Sequence, residues 1–110
     1  GLLKDHVDPT KNQKIVSGLI MSKIGNDFNN GGFYFKKKNK KKFNIENRLD
    51  IGDAVIFYGS IIHGVDKVDP KSKLNWKSDN GRWFIGMFVN DSDHVKNRVV
   101  AKDLSYSVNR

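Results

Sequence analysis

The sequence predicts an all-β protein. Three observations carry that reading: short runs of β-branched and aromatic residues, Gly-, Asn- and Asp-rich breaks between them, and no segment with a clean apolar stripe at helical period. Roughly six to eight short strands are legible on this basis.

Leu2-Leu3 read as the end of a strand, and Pro9 to Lys14 as a polar turn. Ile15 to Ile24 mixes β-branched and flexible apolar residues around Gly18. That glycine disfavours a helix, so the segment reads as a strand, closed by Gly25-Asn26-Asp27. Asn29-Asn30-Gly31-Gly32 is a turn signal, and Gly32 to Phe35 follows as a strand with Tyr34 between two phenylalanines. Phe43 to Ile45 is the next strand candidate. Ile45 to Asp50 leads to the Gly52-Asp53 turn, which launches Ala54 to Tyr58; Gly59-Ser60 breaks that run and His63-Gly64-Val65 opens another. Asp69-Pro70 begins a polar loop through Asn80 whose only large apolar residues are Leu74 and Trp76. Trp76 reads as an anchor packing this loop on the body of the protein. Gly81 to Val89 is the last clear strand. Alternation puts Arg82, Phe84, Gly86 and Phe88 on one face and Trp83 on the other. Residues 91–110 form a polar C-terminal extension in which Val99-Val100 and Leu104 make a short docked element and His94 is a surface residue.

Length bounds the chain, residues 1–110, to one domain with a modest core. No apolar run is long enough to span a bilayer, and no signal-like apolar region precedes the first motif. The chain has no cysteine, which excludes disulfides and Cys-based zinc sites and fits a reducing cytoplasm. Its net charge of +8 comes largely from Lys36 to Lys42, six lysines and one asparagine. A nucleic-acid groove would carry arginines and interleaved aromatics. This run has neither, and reads as a solvated basic loop, residues 36–42, between two strands. Weak, salt-sensitive polyanion binding follows from its charge; sequence-specific nucleic-acid binding does not.

Candidate chemistry lies in His6-Val7-Asp8, His63 and Arg82. Two imidazoles and a carboxylate on one face of a metal leave the opposite positions open, an arrangement suited to non-haem Fe(II) oxygenases. Arg82 stands on an otherwise apolar strand face, where a charge needs a counter-ion. That strand offers no acidic residue at the matching position, so a bound carboxylate, held bidentately, is the expected partner.

The ordered set His6-x-Asp8, Gly31-Gly32-Phe33, Gly52-Asp53-x-Val55-x-Phe57, His63-Gly64-Val65 and Gly81-Arg82-Trp83 resembles the catalytic half of the Fe(II)- and 2-oxoglutarate-dependent dioxygenases. The similarity is to the prolyl-hydroxylase-like or phytanoyl-type branch and runs from His6 to about Val89. It implies a double-stranded β-helix, a cupin-like jelly-roll barrel with the metal in its mouth. It also implies Fe(II) on His6, Asp8 and His63, and 2-oxoglutarate with its distal carboxylate on Arg82. The implied reaction consumes O2 and 2-oxoglutarate, releases succinate and CO2, and hydroxylates a small-molecule or peptidyl substrate. Loss of Arg82 would cost about 2–5 kcal/mol of co-substrate binding on this view.

The chain departs from the family pattern in three places. The stretch from Asp66 to Asn80 is longer than the usual gap. Phe84 replaces the hydroxyl residue that often follows the arginine, leaving Tyr34 or Tyr58 as the second carboxylate contact. The metal motif lies almost at the first residue, so the domain reads as truncated at its N-terminus, with an uncovered edge and apolar face that favour a homo-oligomer. Two other classes share these features: a non-catalytic β-barrel binding module, and a basic nucleic-acid-binding domain using the lysine run.

Overall fold

A computed structural model describes residues 2–10, 13–39, 41–88 and 102–103. These residues form eight strands and a single 3-10 turn. The strands are β1 (Leu3–Val7), β2 (Ile15–Ile20), β3 (Gly32–Lys36), β4 (Lys42–Asn44), β5 (Ala54–Tyr58), β6 (His63–Asp66), β7 (Phe84–Phe88) and β8 (Lys102–Asp103), with the turn at Glu46–Arg48. They build two antiparallel sheets, one of order β4-β3-β6-β1-β8 and one of order β5-β2-β7. The expected all-β class is thus observed, in the form of a β-sandwich. No helix of the described residues is long and apolar enough to cross a membrane.

The period-2 alternation explains how the sheets close on each other. In β2, Val16, Gly18 and Ile20 face in, and in β5, Val55 and Phe57 do so. Phe33 of β3 meets them from the facing sheet, and Phe35, Ile45, Leu49 and Val65 pack around this cluster. Phe57 is the hinge of the contact, its ring centroid 5.5 Å from that of Phe33 and 5.1 Å from that of Phe35. The outward residues of the three-stranded sheet, Ile15, Ile56, Tyr58, Ile85 and Met87, are exposed and apolar. The three-stranded sheet thus has an exposed, largely apolar outer face. The metal-motif strand β1 is flanked on both sides, by β6 and β8.

Several boundaries differ from the sequence reading. β1 begins, rather than ends, at Leu3, because Leu3 pairs with Val65. β2 stops at Ile20, and Ile24 instead bridges Phe28 across the Gly25 turn. β4 starts one residue early, and Ile45 already belongs to the 3-10 turn that follows. Arg82 and Trp83 precede β7 rather than lying in it. The lysine run does join two paired strands, but its ends are strand residues: Lys36 pairs with Asp5, and Lys42 with Asp66. Trp76 does not anchor the long loop, being 88% exposed. Asp69 does that work, its carboxylate accepting the backbone N–H groups of Asn29 and Asn30. The expectations for His94, Val99-Val100 and Leu104 lie outside the described residues.

Because Phe57 joins the two sheets, Phe57→Ala should cost about 3–5 kcal/mol of stability, the usual range for a buried aromatic truncated to alanine. Urea unfolding followed by tryptophan fluorescence measures it, and a loss below about 1 kcal/mol would contradict this packing.

Candidate metal centre

Strand register brings the predicted ligands together. His6 lies directly opposite His63 in the β1–β6 pair. Between this pair and Leu3–Val65, β1 spends three steps where β6 spends two, so β1 carries one extra residue as a bulge. The bulge puts Leu3 and His6 both on the inner face, while Asp5 turns outward. Asp8, two residues beyond His6, returns to the inner face by the same alternation. Its backbone N–H donates to the carbonyl of Gly59 at 2.8 Å. Glycine is required at 59, because a Cβ there would lie 3.1 Å from that of Asp8 and 2.8 Å from the Gln13 carbonyl oxygen.

The three side chains are buried, with exposures of 6% for His6, 7% for Asp8 and 4% for His63. One ligand atom from each lies within 4.8 Å of the others, close enough to hold a metal ion. Both imidazoles are oriented by backbone: Nδ1 of His6 donates to the Lys4 carbonyl at 2.9 Å, and Nδ1 of His63 to that of Ile61 at 2.8 Å. With the proton on Nδ1, as a carbonyl partner requires, each neutral ring presents a bare Nε2 lone pair. Nε2 of His63 is 3.4 Å from Oδ2 of Asp8. That Oδ2 is buried without a hydrogen-bond partner. An orphaned carboxylate oxygen beside two imidazole lone pairs is unfavourable unless a cation sits among them. The donor set therefore fits a divalent metal, with one carboxylate oxygen and two nitrogens as first ligands.

Aromatic packing fixes the site. His63 stacks edge-on against Phe57, with ring centroids 4.6 Å apart, and touches His6 at 4.2 Å and Phe33 at 5.8 Å. Burial holds the His63 pKa below the usual histidine value. The Ile61 carbonyl pulls it up, His6 reinforces the lowering, and Asp8 opposes it. The result is a ring kept neutral, the form that ligates metal.

Arg82 and Tyr34 stand differently from expectation. The Arg82 side chain is mostly covered, at 9% exposure, but already has a counter-ion: its Nε donates to Oε1 of Glu46 at 2.9 Å. Contrary to expectation, Arg82 needs no bound anion for neutrality, because its acidic partner comes from the 3-10 turn rather than from its own strand. Arg82 nonetheless lines a cleft of about 900 Å³ that also includes Leu3, Val65, Asp27 and Leu74. Leu3 and Val65 sit one pair along the same sheet face from His6 and His63, about 7 Å by strand rise. None of the three ligands lines the cleft itself, but this pair brings one end of it next to His6 and His63 along the sheet.

Tyr34 does not reach this face. It pairs with Gly64, one step out of register with the Phe35–His63 pair, so it points to the outside of its sheet. There its hydroxyl donates to Asp5 and Lys42 lies over its ring. Tyr58, the other tyrosine considered, is exposed on the outer face of the three-stranded sheet. Glu46 is the residue that sequence reasoning missed. Nothing in Ile45-Glu46-Asn47 marks it as the partner of an arginine 36 residues later.

Replacing His6, Asp8 or His63 by alanine should each weaken Co(II) or Mn(II) binding by more than the 10–100-fold typical of losing an outer-shell partner. Retained stoichiometric binding in any one of the three, by calorimetric titration, would remove that residue from the site. Asp8→Asn gives a sharper signature. Its amide can donate toward the imidazole lone pairs, so the metal-free variant should be more stable by about 1–2 kcal/mol while losing metal affinity. A destabilised metal-free Asp8→Asn would show that Oδ2 is satisfied by some other means.

Comparison with protein-family models finds no match, and no curated protein or solved structure is recognisably similar to the chain.

Proposed function

We propose that this chain is an Fe(II)- and 2-oxoglutarate-dependent oxygenase that hydroxylates an organic or peptidyl substrate. The observation that carries the proposal is the buried convergence of His6, Asp8 and His63 around an unpartnered carboxylate oxygen. Two nitrogens and one oxygen from one side leave the other positions open for co-substrate and oxygen, as oxygenase chemistry requires. Zinc hydrolases use related donor sets, but the cleft beside the site and its arginine favour a chelating oxo acid.

The strand order supports the barrel this function implies. Apart from the hairpin β3–β4, successive strands β1 to β7 alternate between the two sheets, the winding expected of a double-stranded β-helix. In such a barrel the ligands sit between the sheets, where His6 and His63 are found.

Bound at these ligands, Fe(II) would couple oxidative decarboxylation of 2-oxoglutarate, giving succinate and CO2, to insertion of one oxygen atom of O2 into a substrate C–H bond. The chain's own residues supply the rest. The carbonyls of Lys4 and Ile61 fix the imidazole tautomers and orientations. Phe33 and Phe57 exclude water from the inner side of His63 and keep its ring from turning. Leu3 and Val65 give the cleft an apolar floor for the carbon chain of the co-substrate, and Arg82 offers hydrogen bonds to its distal end.

Purified chain supplied with Fe(II), ascorbate and 2-oxoglutarate should release succinate without added substrate, and the release should vanish in Asp8→Ala. Stoichiometric iron binding with no succinate and no 2-oxoglutarate binding would reduce the reading to a metal-binding β-sandwich.

A further inference from the structure

We infer that Glu46 sets how strongly the cleft prefers an anionic ligand, by neutralising Arg82 from behind; the inference rests on the cleft being the co-substrate site. Glu46 is 2% exposed and held on three sides. Its Oε2 accepts the backbone N–H of Phe33 at 2.6 Å, and its Oε1 accepts Nε of Arg82 at 2.9 Å. Its carbon chain lies over Gly32, where a Cβ would come within 2.6 Å of Cγ of Glu46. A backbone donor, a guanidinium and a missing side chain all shape one carboxylate's place, so this is a built pair rather than a chance surface contact.

The pair divides the guanidinium. Nε faces Glu46, while the edge made by the two terminal nitrogens is the one Arg82 can turn to the cleft that it lines. That edge retains the planar fork for a carboxylate. Its net charge is another matter: the Arg82 cation and the Glu46 anion cancel, and among the other charged residues lining the cleft Lys67 and Lys73 are matched in number by Asp27 and Asp69. A ligand carboxylate on the fork would face the Glu46 carboxylate across the guanidinium, and that repulsion offsets much of the attraction. A lone buried arginine would favour a ligand with a distal carboxylate over one without it by about thirtyfold or more. With Glu46 behind it, the preference should fall below about tenfold. Glu46 is thus a specificity-determining residue acting through Arg82, and the cleft accepts 2-oxo acids whose far end is uncharged almost as readily as 2-oxoglutarate.

The test is calorimetric titration of the Mn(II)-loaded chain with 2-oxoglutarate and with 2-oxobutyrate, which lacks the distal carboxylate. The wild-type affinity ratio should be below about tenfold, and Glu46→Gln should raise it by about tenfold or more, through tighter 2-oxoglutarate binding. Because Glu46→Gln strips a buried charge of its counter-ion, the wild-type ratio is measured first and stands without the variant. A wild-type ratio of tenfold or more, or an unchanged ratio in a folded Glu46→Gln, would overturn the inference. A purely structural role for the pair would lower the variant's unfolding midpoint and leave the ratio alone. Mn(II) binding with neither oxo acid bound would sink the co-substrate reading and the inference together. Binding of both acids with no response to Glu46→Gln would sink only the inference.

Discussion

Everything in this structure turns on the direct pairing of His6 with His63 across β1 and β6. Cross-strand neighbours bring Cβ atoms to about 5 Å, which leaves two rings room for little besides a shared ligand or a tight stack. The bulge in β1 is what aligns them: without the extra residue, His6 would fall out of register with His63 and Asp8 would point away. Once the pair is set, the backbone carbonyls of Lys4 and Ile61 fix both rings beside Asp8, whose Oδ2 is buried without a hydrogen-bond partner. Such a cluster destabilises the metal-free fold locally. A bound cation would relieve it by satisfying the buried carboxylate oxygen.

The surrounding fold is organised to bear that strain. Phe57 packs against Phe33, Phe35 and His63 at once, so the contact that joins the sheets is the same contact that holds the ligand. Stability and site geometry are therefore coupled through one aromatic cluster, and changes there should not separate cleanly into the two effects. The Glu46–Arg82 pair has an analogous double role at the cleft. It ties the 3-10 turn to the residues that precede β7, and it offsets the charge that Arg82 brings to the cleft.

The sequence made much of this legible because period and spacing report which face a residue occupies. His-x-Asp puts two ligands on one strand face whatever the tertiary structure, and His63 at the start of a short strand is a natural third. The turn residues at Gly25, Gly31-Gly32 and Gly52 located the breaks correctly, since positive φ at these positions is a local demand. Pairings between distant segments were beyond this kind of reading. Glu46 could not be matched to Arg82, nor Tyr34 assigned to the outer face, without the β3–β6 register. The bulge in β1 is likewise silent in the sequence, because it arises from how β1 and β6 meet. Trp76 misled for a related reason: a large apolar residue in a loop suggests an anchor, but the carboxylate of Asp69 found the backbone first.

The central claim is that His6, Asp8 and His63 share one divalent metal through two nitrogens and one carboxylate oxygen. Crystals of the iron-loaded chain, with anomalous diffraction recorded at the iron edge, address it most directly. A single anomalous peak about 2.0–2.2 Å from one atom of each residue is the predicted result. A peak elsewhere on the protein, or these three side chains closed on one another beside full-occupancy iron bound by other groups, would contradict it.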